Sequence, residues 1–258
     1  MLLLAIDIGT SSCKLALFRE DGTPAGSVTR GYPLYTPAPG CVEQDADSWW
    51  DAVCGGCREL LAQPGIRAEQ IAAIGIDGQS WAAIPVDAEG NVLRRTPIWM
   101  DTRAKEVCAR YEARIGADRI FQTAGNPFSP SYTLPKILYF MEHEPELVRR
   151  TRAFLQSNSF IAYRLTGVIS QDLSQSYGYH NFDQHTLQYD DALTQAFGLE
   201  RRFLLDMVPS QQVIGHITEA AAACTGLLAG TPVVAGGLDA ACSTLGVGVT
   251  QPGQAQEQ

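Results

Sequence analysis

The first fourteen residues constrain the fold more than any other stretch. Residues 5–14 read AIDIGTSSCK, in which an apolar strand over Leu2–Ile8 contains a carboxylate near its end. A turn of glycine and hydroxyl residues then leads into a second strand over 12–18. A carboxylate that closes a buried strand beside such a turn suits the binding of phosphate groups. The sequence therefore predicts an opening β-hairpin with a phosphate-binding turn.

Each residue type in this turn has a chemical use. Glycine lets backbone N–H groups approach phosphate oxygens closely, hydroxyls add donors, the carboxylate can hold Mg²⁺ directly or through water, and the lysine adds positive charge. The phosphate and Mg-ATP candidates are Asp7, Gly9, Thr10, Ser11, Ser12 and Lys14. The alternative is a plain hairpin whose polar residues only satisfy the turn. The chain has no GxxxxGK[ST] or GxGxxG, which disfavours a P-loop or a dinucleotide fold.

The remaining pattern is typical of an α/β domain. A nearly continuous apolar run over 71–77 predicts a strand buried on both faces, with a parallel neighbour and covering helices. A helix is predicted to begin at Asp45 or Asp47, either of which can cap it, and to run to Leu60. A second buried strand is predicted over 232–235, followed by a helix over 240–245.

Composition narrows the class of protein further. The 258 residues have a net charge of -9, which opposes binding to nucleic acid or to an anionic membrane surface. No apolar run approaches the roughly 18 residues of a membrane span, and no secretion signal opens the chain, so a cytoplasmic protein is expected. The seven cysteines suit reduced thiols. Cys54 and Cys57 form a CxxC pair, but it has no second pair and lies in a helical pattern, which favours a structural role.

Several stretches of the sequence resemble a known family. Residues 5–14 resemble the first phosphate motif of the actin, hexokinase and heat-shock ATPase superfamily. Five further stretches resemble the FGGY carbohydrate kinases in the expected order: 75–80 (GIDGQS), 97–103 (PIWMDTR), 125–127 (GNP), 135–136 (PK) and 163–167 (YRLTG). Residues 225–241 resemble the segment that contains the family's catalytic aspartate. The resemblance implies an actin-like, ribonuclease H-like ATPase domain with a mixed sheet flanked by helices.

The resemblance also implies roles for individual residues. It makes Asp239 the catalytic base, although an aspartate before Ala240 and Ala241 could equally cap a helix. ATP and Mg²⁺ are the implied cofactors, with Asp7 as the metal residue. The implied substrate-binding residues are Gln79, Ser80, Trp81, Trp99, Asp101, Arg103 and Asp239. The alternatives are that both tryptophans fill the core and that Arg103 pairs with Asp101 or with a surface carboxylate.

The motifs are most similar to the xylulokinase branch, which implies a pentulose substrate, xylulose first. That branch commonly has Met-His after the Gly-Gln pair, whereas this chain has Ser80 and Trp81. Ribulose, fuculose, glycerol and gluconate therefore remain possible substrates. A homodimer is also possible.

FGGY kinases are about twice as long as this chain. Residues 1–248 are therefore expected to be the N-terminal, sugar-binding domain, and 249–258 the start of the interdomain junction. The C-terminal ATP-binding domain is then a missing partner, and this half alone should be inactive or weakly active. A non-catalytic sugar-binding fragment is the alternative.

Overall fold

A computed structural model describes residues 1–255 of the chain. The strands of this part are β1 Leu2–Ile8, β2 Ser12–Arg19, β3 Pro24–Gly31, β4 Tyr35–Ala38, β5 Cys41–Gln44, β6 Ile71–Gly78, β7 Ile84–Val86, β8 Thr96–Pro97, β9 Ala153–Leu155, β10 Gln171–Asp172, β11 Phe182–Asp183, β12 Gln188–Tyr189, β13 Met207–Val208, β14 Val213–His216, β15 Pro232–Val234 and β16 Gly237–Leu238. The α-helices are α1 Ala46–Leu61, α2 Lys105–Ile115, α3 Ala117–Ala124, α4 Thr133–His143, α5 Pro145–Arg150, α6 Ser157–Thr166, α7 Asp191–Phe197, α8 Glu219–Thr225 and α9 Asp239–Gly246.

A mixed seven-stranded sheet forms the centre of the fold. Its strand order is β14-β15-β6-β1-β2-β3, and β16 also pairs with β6. β6 runs parallel to β1, β15 and β16, whereas β1, β2 and β3 form an antiparallel meander. The opening hairpin and the parallel neighbour of β6 were both predicted, and both predictions are confirmed.

Helices cover one face of this sheet. α1 packs on β2 and β3, α6 packs on β6, and α8 packs against α1 and α6. Their apolar sides and the inward residues of β1 and β6 form the main core, in which Trp49 is completely buried. α1 begins after Asp45, whose side chain accepts a hydrogen bond from the Asp47 backbone N–H. The first of the two predicted caps is therefore the one used.

The opposite face of β1 and β6 is largely open, which differs from the prediction for 71–77. Ile74 and Ile76 are buried, but Ala73 and Gly75 on the other face are only half-buried. Leu3, which pairs in register with Ala73, is 42% exposed. The prediction was wrong because alanine and glycine on the second face have little apolar area to bury. Burial therefore alternates along this strand, although nearly all of its residues are apolar.

A second layer of helices, α2 to α5 and α7, lies beside the sheet. α4 stands between two smaller apolar clusters: Leu134 and Leu138 belong to one, and Ile137 and Phe140 to the other. α4 begins at Thr133, and its first two residues, Thr133 and Leu134, are both buried. This layer holds the loops that approach the carboxyl ends of the parallel strands.

Other sequence predictions can be compared directly. All seven cysteines lie within residues 1–255 and are free, and Cys54 and Cys57 are both buried in α1, as the structural interpretation of the CxxC pair expects. Residues 249–255 follow α9 without a helix or strand, and 256–258 of the predicted junction lie outside the described residues. Within 1–255, no helix has both the length and the apolar character needed to cross a bilayer.

A substitution at Gly236 measures how much the close packing of β16 against β6 contributes to stability. Its φ is +77°, and a Cβ there would lie 1.8 Å from the Ile76 carbonyl oxygen, a backbone atom that cannot move aside. We predict that Gly236→Ala lowers the free energy of unfolding by about 3 kcal/mol or more. Gly230→Ala is the control, because Gly230 has a φ of +87° with nothing within 4 Å. It should lose only about 1–2 kcal/mol from backbone strain. Urea unfolding followed by circular dichroism measures both, and equal losses would contradict the close contact.

Candidate functional site

Three carboxylates meet at the carboxyl ends of the parallel strands. Asp7 of β1 lies directly beside Asp77 of β6, and Asp77 in turn lies beside Gly237 of β16, two residues before Asp239. Neighbouring strands are about 4.8 Å apart, so the β1 and β16 ends are separated by roughly 10 Å. Ligands of open α/β sheets bind at such carboxyl ends. The structure therefore brings the predicted phosphate aspartate and the predicted base to one edge.

The middle carboxylate, Asp77, was given no role in the sequence analysis. Burial, and then the negative charges of Asp7 and Asp239, raise its pKa from 3.8 to about 7. A raised pKa of this kind is expected where carboxylates crowd together out of water. Asp77 is therefore able to hold a proton near neutral pH, which removes its own repulsion with Asp7 and Asp239.

Lys14 supplies the positive charge of this edge. Because β1 and β2 are antiparallel, Lys14 lies opposite Asp7, and its Nζ donates a hydrogen bond to Asp7 Oδ2 at 2.9 Å. The hydrogen bond and charge of Asp7 raise the pKa of Lys14. The Lys14 side chain is 61% exposed, so the ion pair is accessible from solvent. The two predicted phosphate residues are thus partners, and Lys14 remains free to turn toward a ligand.

Buried side chains hold the turn between β1 and β2. Gln44 Nε2 donates to the Thr10 carbonyl at 2.7 Å, and Gln79 Nε2 donates to Gln44 Oε1 at 2.7 Å and to the Gly9 carbonyl at 3.4 Å. The Tyr32 hydroxyl also donates to the Gly9 carbonyl. Gln44 and Gln79 are both fully buried. The turn is therefore held through its carbonyls, while Ser11 is exposed and Thr10 and Ser12 are half-buried.

Trp99 links this turn to the predicted substrate loop. Its indole Nε1 donates to Thr10 Oγ1 at 3.0 Å, and the side chain is 42% exposed. It is therefore not a core residue, which removes the alternative considered for it in the sequence analysis. Its exposed ring lies next to the hydroxyls of the phosphate turn, at a position where a bound acceptor could contact it.

Asp101 and Arg103 are occupied with each other. Arg103 donates to both carboxylate oxygens of Asp101, and its Nη2 also donates to Glu43 Oε1 at 2.6 Å. Asp101 Oδ2 further accepts the Val42 backbone N–H at 2.7 Å. Arg94 joins the cluster through Glu43. The alternative in which Arg103 pairs with Asp101 is thus what the structure contains, and this buried pair holds the predicted substrate loop in place.

Ser80 and Trp81 come two and three residues after the end of β6. Both are partly exposed, and the Trp81 ring packs against Tyr132 with a centroid distance of 4.2 Å. Gln79, the third residue of this predicted group, is buried, and its Oε1 atom has no partner among the described residues. Of these three residues, Gln79 contacts the turn directly, through its hydrogen bond to the Gly9 carbonyl.

Asp239 is the first residue of α9, so Leu238 rather than Asp239 occupies the N-cap position. One Asp239 oxygen accepts the Ala240 N–H at 2.7 Å, which leaves the second oxygen for another partner. Burial, and then the charge of Asp7, raise the pKa of Asp239. The preceding strand is anchored by Ser174, whose Oγ accepts the Leu238 N–H at 2.8 Å. The carboxylate therefore has a fixed position near Asp7.

Some site residues were missed for a clear reason. Asp77 ends a second apolar strand just as Asp7 ends the first, and this repeated pattern could have identified it. Gln44 and Tyr32 gave no such signal, because they reach the turn only through the tertiary fold. Among residues 1–255, no cluster of three or more His, Cys, Asp or Glu side chains has an arrangement that could hold a metal ion by itself. A Mg²⁺ ion here would need phosphate oxygens or water as additional ligands.

Comparisons with known proteins agree with this arrangement. A profile of the N-terminal domain of the FGGY family of carbohydrate kinases matches residues 2–246. The chain is 31% identical to a xylulose kinase of Bacillus subtilis, over 97% of this chain and 50% of that protein. It is 35% identical to a glycerol kinase of Xanthobacter autotrophicus, over 78% and 42% respectively. A crystal structure of xylulose kinase from Rhodospirillum rubrum superposes with a TM-score of 0.93 at 27% identity, over 98% of this chain and 52% of that one.

The chain therefore belongs to the FGGY family of carbohydrate kinases, and the match falls on the family's N-terminal domain. The resemblance inferred from the motifs is confirmed, and so is the actin-like fold. The chain spans about half the length of the curated relatives it matches.

The crowded carboxylates predict a pH-dependent stability. The folded chain keeps the Asp77 proton up to a pH near 7, whereas the unfolded chain loses it near 3.8. The folded state thus binds more protons in this interval, and its stability falls as the pH rises through it. Asp77→Asn, which mimics the protonated acid, should remove the penalty. We predict that the variant is more stable than the wild type by about 1–3 kcal/mol at pH 8, and by less at pH 4.5.

Urea unfolding in EDTA at the two pH values makes this measurement. Asp51→Asn removes an exposed carboxylate from α1 and is the control, with the same small effect at both pH values. If the stability difference between Asp77→Asn and the wild type does not grow with pH, Asp77 is ionised in the folded state at both pH values, which contradicts the account.

Proposed function

We propose that this chain is the acceptor-binding half of an ATP-dependent carbohydrate kinase that phosphorylates a hydroxyl of a pentulose, with xylulose as the first candidate. In this proposal, residues 1–248 form the sugar-binding domain and 249–258 lead into a C-terminal ATP-binding domain. That domain would complete the site and close over both substrates, as the family's length indicates.

One observation supports this proposal above the others. The register of three strands aligns the Asp239 end of β16 with the glycine-hydroxyl turn after β1, with Asp77 between them. A kinase requires a proton acceptor on one side of the transferred phosphoryl group and a phosphate-binding element on the other, within a few ångströms of a common point. Roughly 10 Å between the two strand ends leaves space for a hydroxymethyl group and one phosphoryl group.

The residues at this edge fit Mg-ATP. Asp7 offers the carboxylate oxygen that Mg²⁺ prefers, and Thr10 and Ser11 present accessible hydroxyls beside it. Lys14 can exchange its ion pair with Asp7 for one with a phosphate oxygen. When bound, Mg-ATP would supply the phosphoryl group and the charge that neutralises its transfer. Family membership supports the same cofactors.

The chemical work of this chain is to orient the acceptor and accept its proton. The free oxygen of Asp239 can accept a hydrogen bond from the reacting hydroxyl, which turns the oxygen lone pair toward the phosphate turn. As the new bond to phosphorus forms, that hydroxyl becomes acidic and its proton passes to the carboxylate. Burial of Asp239 makes it a better base than an exposed aspartate, because its pKa is raised.

The acceptor would lie among Ser80, Trp81, Trp99 and Asp239. These residues combine hydrogen-bonding atoms with apolar ring surface, as sugar sites do. In this proposal the role of Asp101 and Arg103 is indirect. Their buried ion pair holds the loop of Trp99 in place.

A kinase for another acceptor is the second candidate. Ser80 and Trp81 replace the Met-His pair of the xylulokinase branch, and one relative of higher identity is a glycerol kinase. Indole cannot accept a hydrogen bond as imidazole can, so the preferred acceptor would differ while the chemistry at Asp239 stays the same.

The division of the site predicts unequal binding by this half. Isothermal titration calorimetry of the 258-residue chain with a panel of pentuloses should detect weak sugar binding, because the proposed acceptor contacts all lie here. ATP should give a far smaller heat, since the adenosine pocket is proposed to lie in the other domain. Comparable heats for ATP and sugar would contradict this assignment.

Asp239→Asn tests the proposed base. In a two-domain protein in which a C-terminal kinase half follows this chain, we predict that kcat falls at least about 100-fold, because a positioned base contributes about 10²–10⁴. Asp118→Asn, an exposed change on α3, is the control and should keep its activity. A coupled ADP-release assay measures both. Unchanged turnover in Asp239→Asn would remove the enzymatic assignment and favour a non-catalytic sugar-binding role.

A further inference from the structure

Three aromatic rings form one surface beside the proposed acceptor site. Trp81 packs on Tyr132 at a centroid distance of 4.2 Å and meets Tyr177 edge-on at 5.6 Å, and the two tyrosines are 6.0 Å apart. All three side chains are partly exposed. We call this cluster the aromatic wall. Tyr132 and Tyr177 were not among the site residues expected from the sequence.

One polar atom of the wall, Trp81 Nε1, is buried and has no hydrogen-bond partner among the described residues. The accessible part of the Trp81 indole is therefore carbon. A ligand that touches this ring meets an apolar surface rather than a hydrogen-bonding group.

The wall is held in place at a strained backbone position. Trp81 has a φ of +59°, which is unfavourable for a bulky residue. Its N–H donates to Gln156 Oε1 at 3.1 Å and to Gln175 Oε1 at 3.4 Å, and its carbonyl accepts a hydrogen bond from Lys136 Nζ at 2.8 Å. Gln156, Gln175 and Lys136 are all fully buried. Such strain persists only where the surroundings fix it, and it is most common at ligand sites.

Lys136 connects two parts of the wall. Its Nζ donates to the Trp81 carbonyl and also to the Ser131 carbonyl, which directly precedes Tyr132. One buried ammonium group thus fixes the Trp81 turn against the Tyr132 loop. Burial lowers the pKa of Lys136 from 10.5 to about 7, while the charge of Asp101 opposes that shift. A fully buried lysine is rare, and this one has no acceptor other than these two carbonyls among its hydrogen bonds within residues 1–255.

The wall is also close to the proposed base. The 3₁₀ segment Leu173–Gly178 connects them: Ser174 Oγ accepts the Leu238 N–H, next to Asp239, and Gly178 packs on Trp81. A Cβ on Gly178 would lie 3.0 Å from Trp81 Cδ1. The four steps from Ser174 to Gly178 span roughly 8 Å at about 2.0 Å per residue. An acceptor of five or six carbons bound at Asp239 therefore reaches the wall.

We propose that the aromatic wall is the specificity-determining surface for the acceptor, that it favours a deoxy ketose over the fully hydroxylated ketose, and that Lys136 is the positioning residue that holds the wall. This inference rests on the proposed kinase function. A hydroxyl pressed against aromatic carbon loses its hydrogen bonds to water, whereas a methyl group gains by leaving water. The preferred acceptor thus has a C–H group where the usual pentulose has a hydroxyl away from the reacting end.

Binding of a matched ligand pair to the 258-residue chain tests the proposal. Calorimetry with D-xylulose and 1-deoxy-D-xylulose compares two ketoses that differ by one oxygen atom. We expect the deoxy sugar to bind about 10-fold more tightly, which is the discrimination that a single apolar contact typically provides. In Trp81→His, which restores a ring able to accept a hydrogen bond, the ratio of the two dissociation constants should approach one.

Lys136→Met tests the positioning role. A merely structural lysine would lower the stability of the chain without altering the ratio of the two dissociation constants, whereas a positioning residue changes that ratio toward one. Lys105→Met, which removes an exposed lysine of α2, is the matched control, with an unchanged ratio. If Lys136→Met does not fold, Tyr177→Ala, which removes one ring of the wall, must reduce the ratio in its place.

The possible outcomes distinguish the role of the aromatic wall from the proposed kinase function. Equal affinity of the wild type for both sugars, or a ratio that Trp81→His leaves unchanged, overturns the specificity role of the wall while the kinase proposal stands. Binding of neither sugar, nor of any pentulose in the panel, overturns the proposed acceptor function, and the inference about the wall with it.

Discussion

The parallel pairing of β6 with β1 on one side and β16 on the other is the constraint on which the rest of the site depends. This register places Asp77 beside Asp7 and beside the strand that ends at Asp239, although the three residues are far apart in sequence. A shift of one residue in either pairing would turn a carboxylate to the opposite face of the sheet. The buried side chains of Ile74 and Ile76, which pack under the helices, make such a shift unfavourable. The hydrophobic core therefore sets the geometry of the charged edge.

Three acidic groups at one edge must be balanced by charge or by protons. Lys14 neutralises Asp7, and the raised pKa of Asp77 lets it remain protonated near neutral pH. The turn beside them has no charged side chain, and the partial negative charge of its carbonyl oxygens is compensated by hydrogen bonds from Gln44 and Gln79. The arrangement is suited to a ligand that brings both cations and phosphate oxygens, since these would replace the Lys14 contact and relieve the crowding.

Local sequence patterns were sufficient to predict the ends of strands and the types of element. The opening hairpin and the α/β class follow from short stretches in which composition and spacing agree. The short strand Gly237–Leu238 before Asp239 was not predicted, and Asp239 itself was identified through the family resemblance. The open face of β6 was not predictable from its apolar run, because Ala73 and Gly75 are apolar yet bury little surface. The pairing of Asp101 with Arg103 was open between two interpretations that differ only in tertiary contacts. Asp77, Lys136 and Tyr177 gain their significance from neighbours distant in the chain, which one sequence without its fold does not reveal.

The most direct test of the central claim is acceptor-dependent ADP release by a two-domain protein that contains this chain. The assay compares ketoses and polyols as acceptors with Mg-ATP in excess, and a reaction without acceptor measures background hydrolysis. The account predicts that ADP forms well above background with at least one ketose or polyol, in equal amount to a phosphorylated sugar. ADP release that is the same with and without every acceptor would contradict the claim that the edge formed by Asp7, Asp77 and Asp239 transfers a phosphoryl group to a carbohydrate.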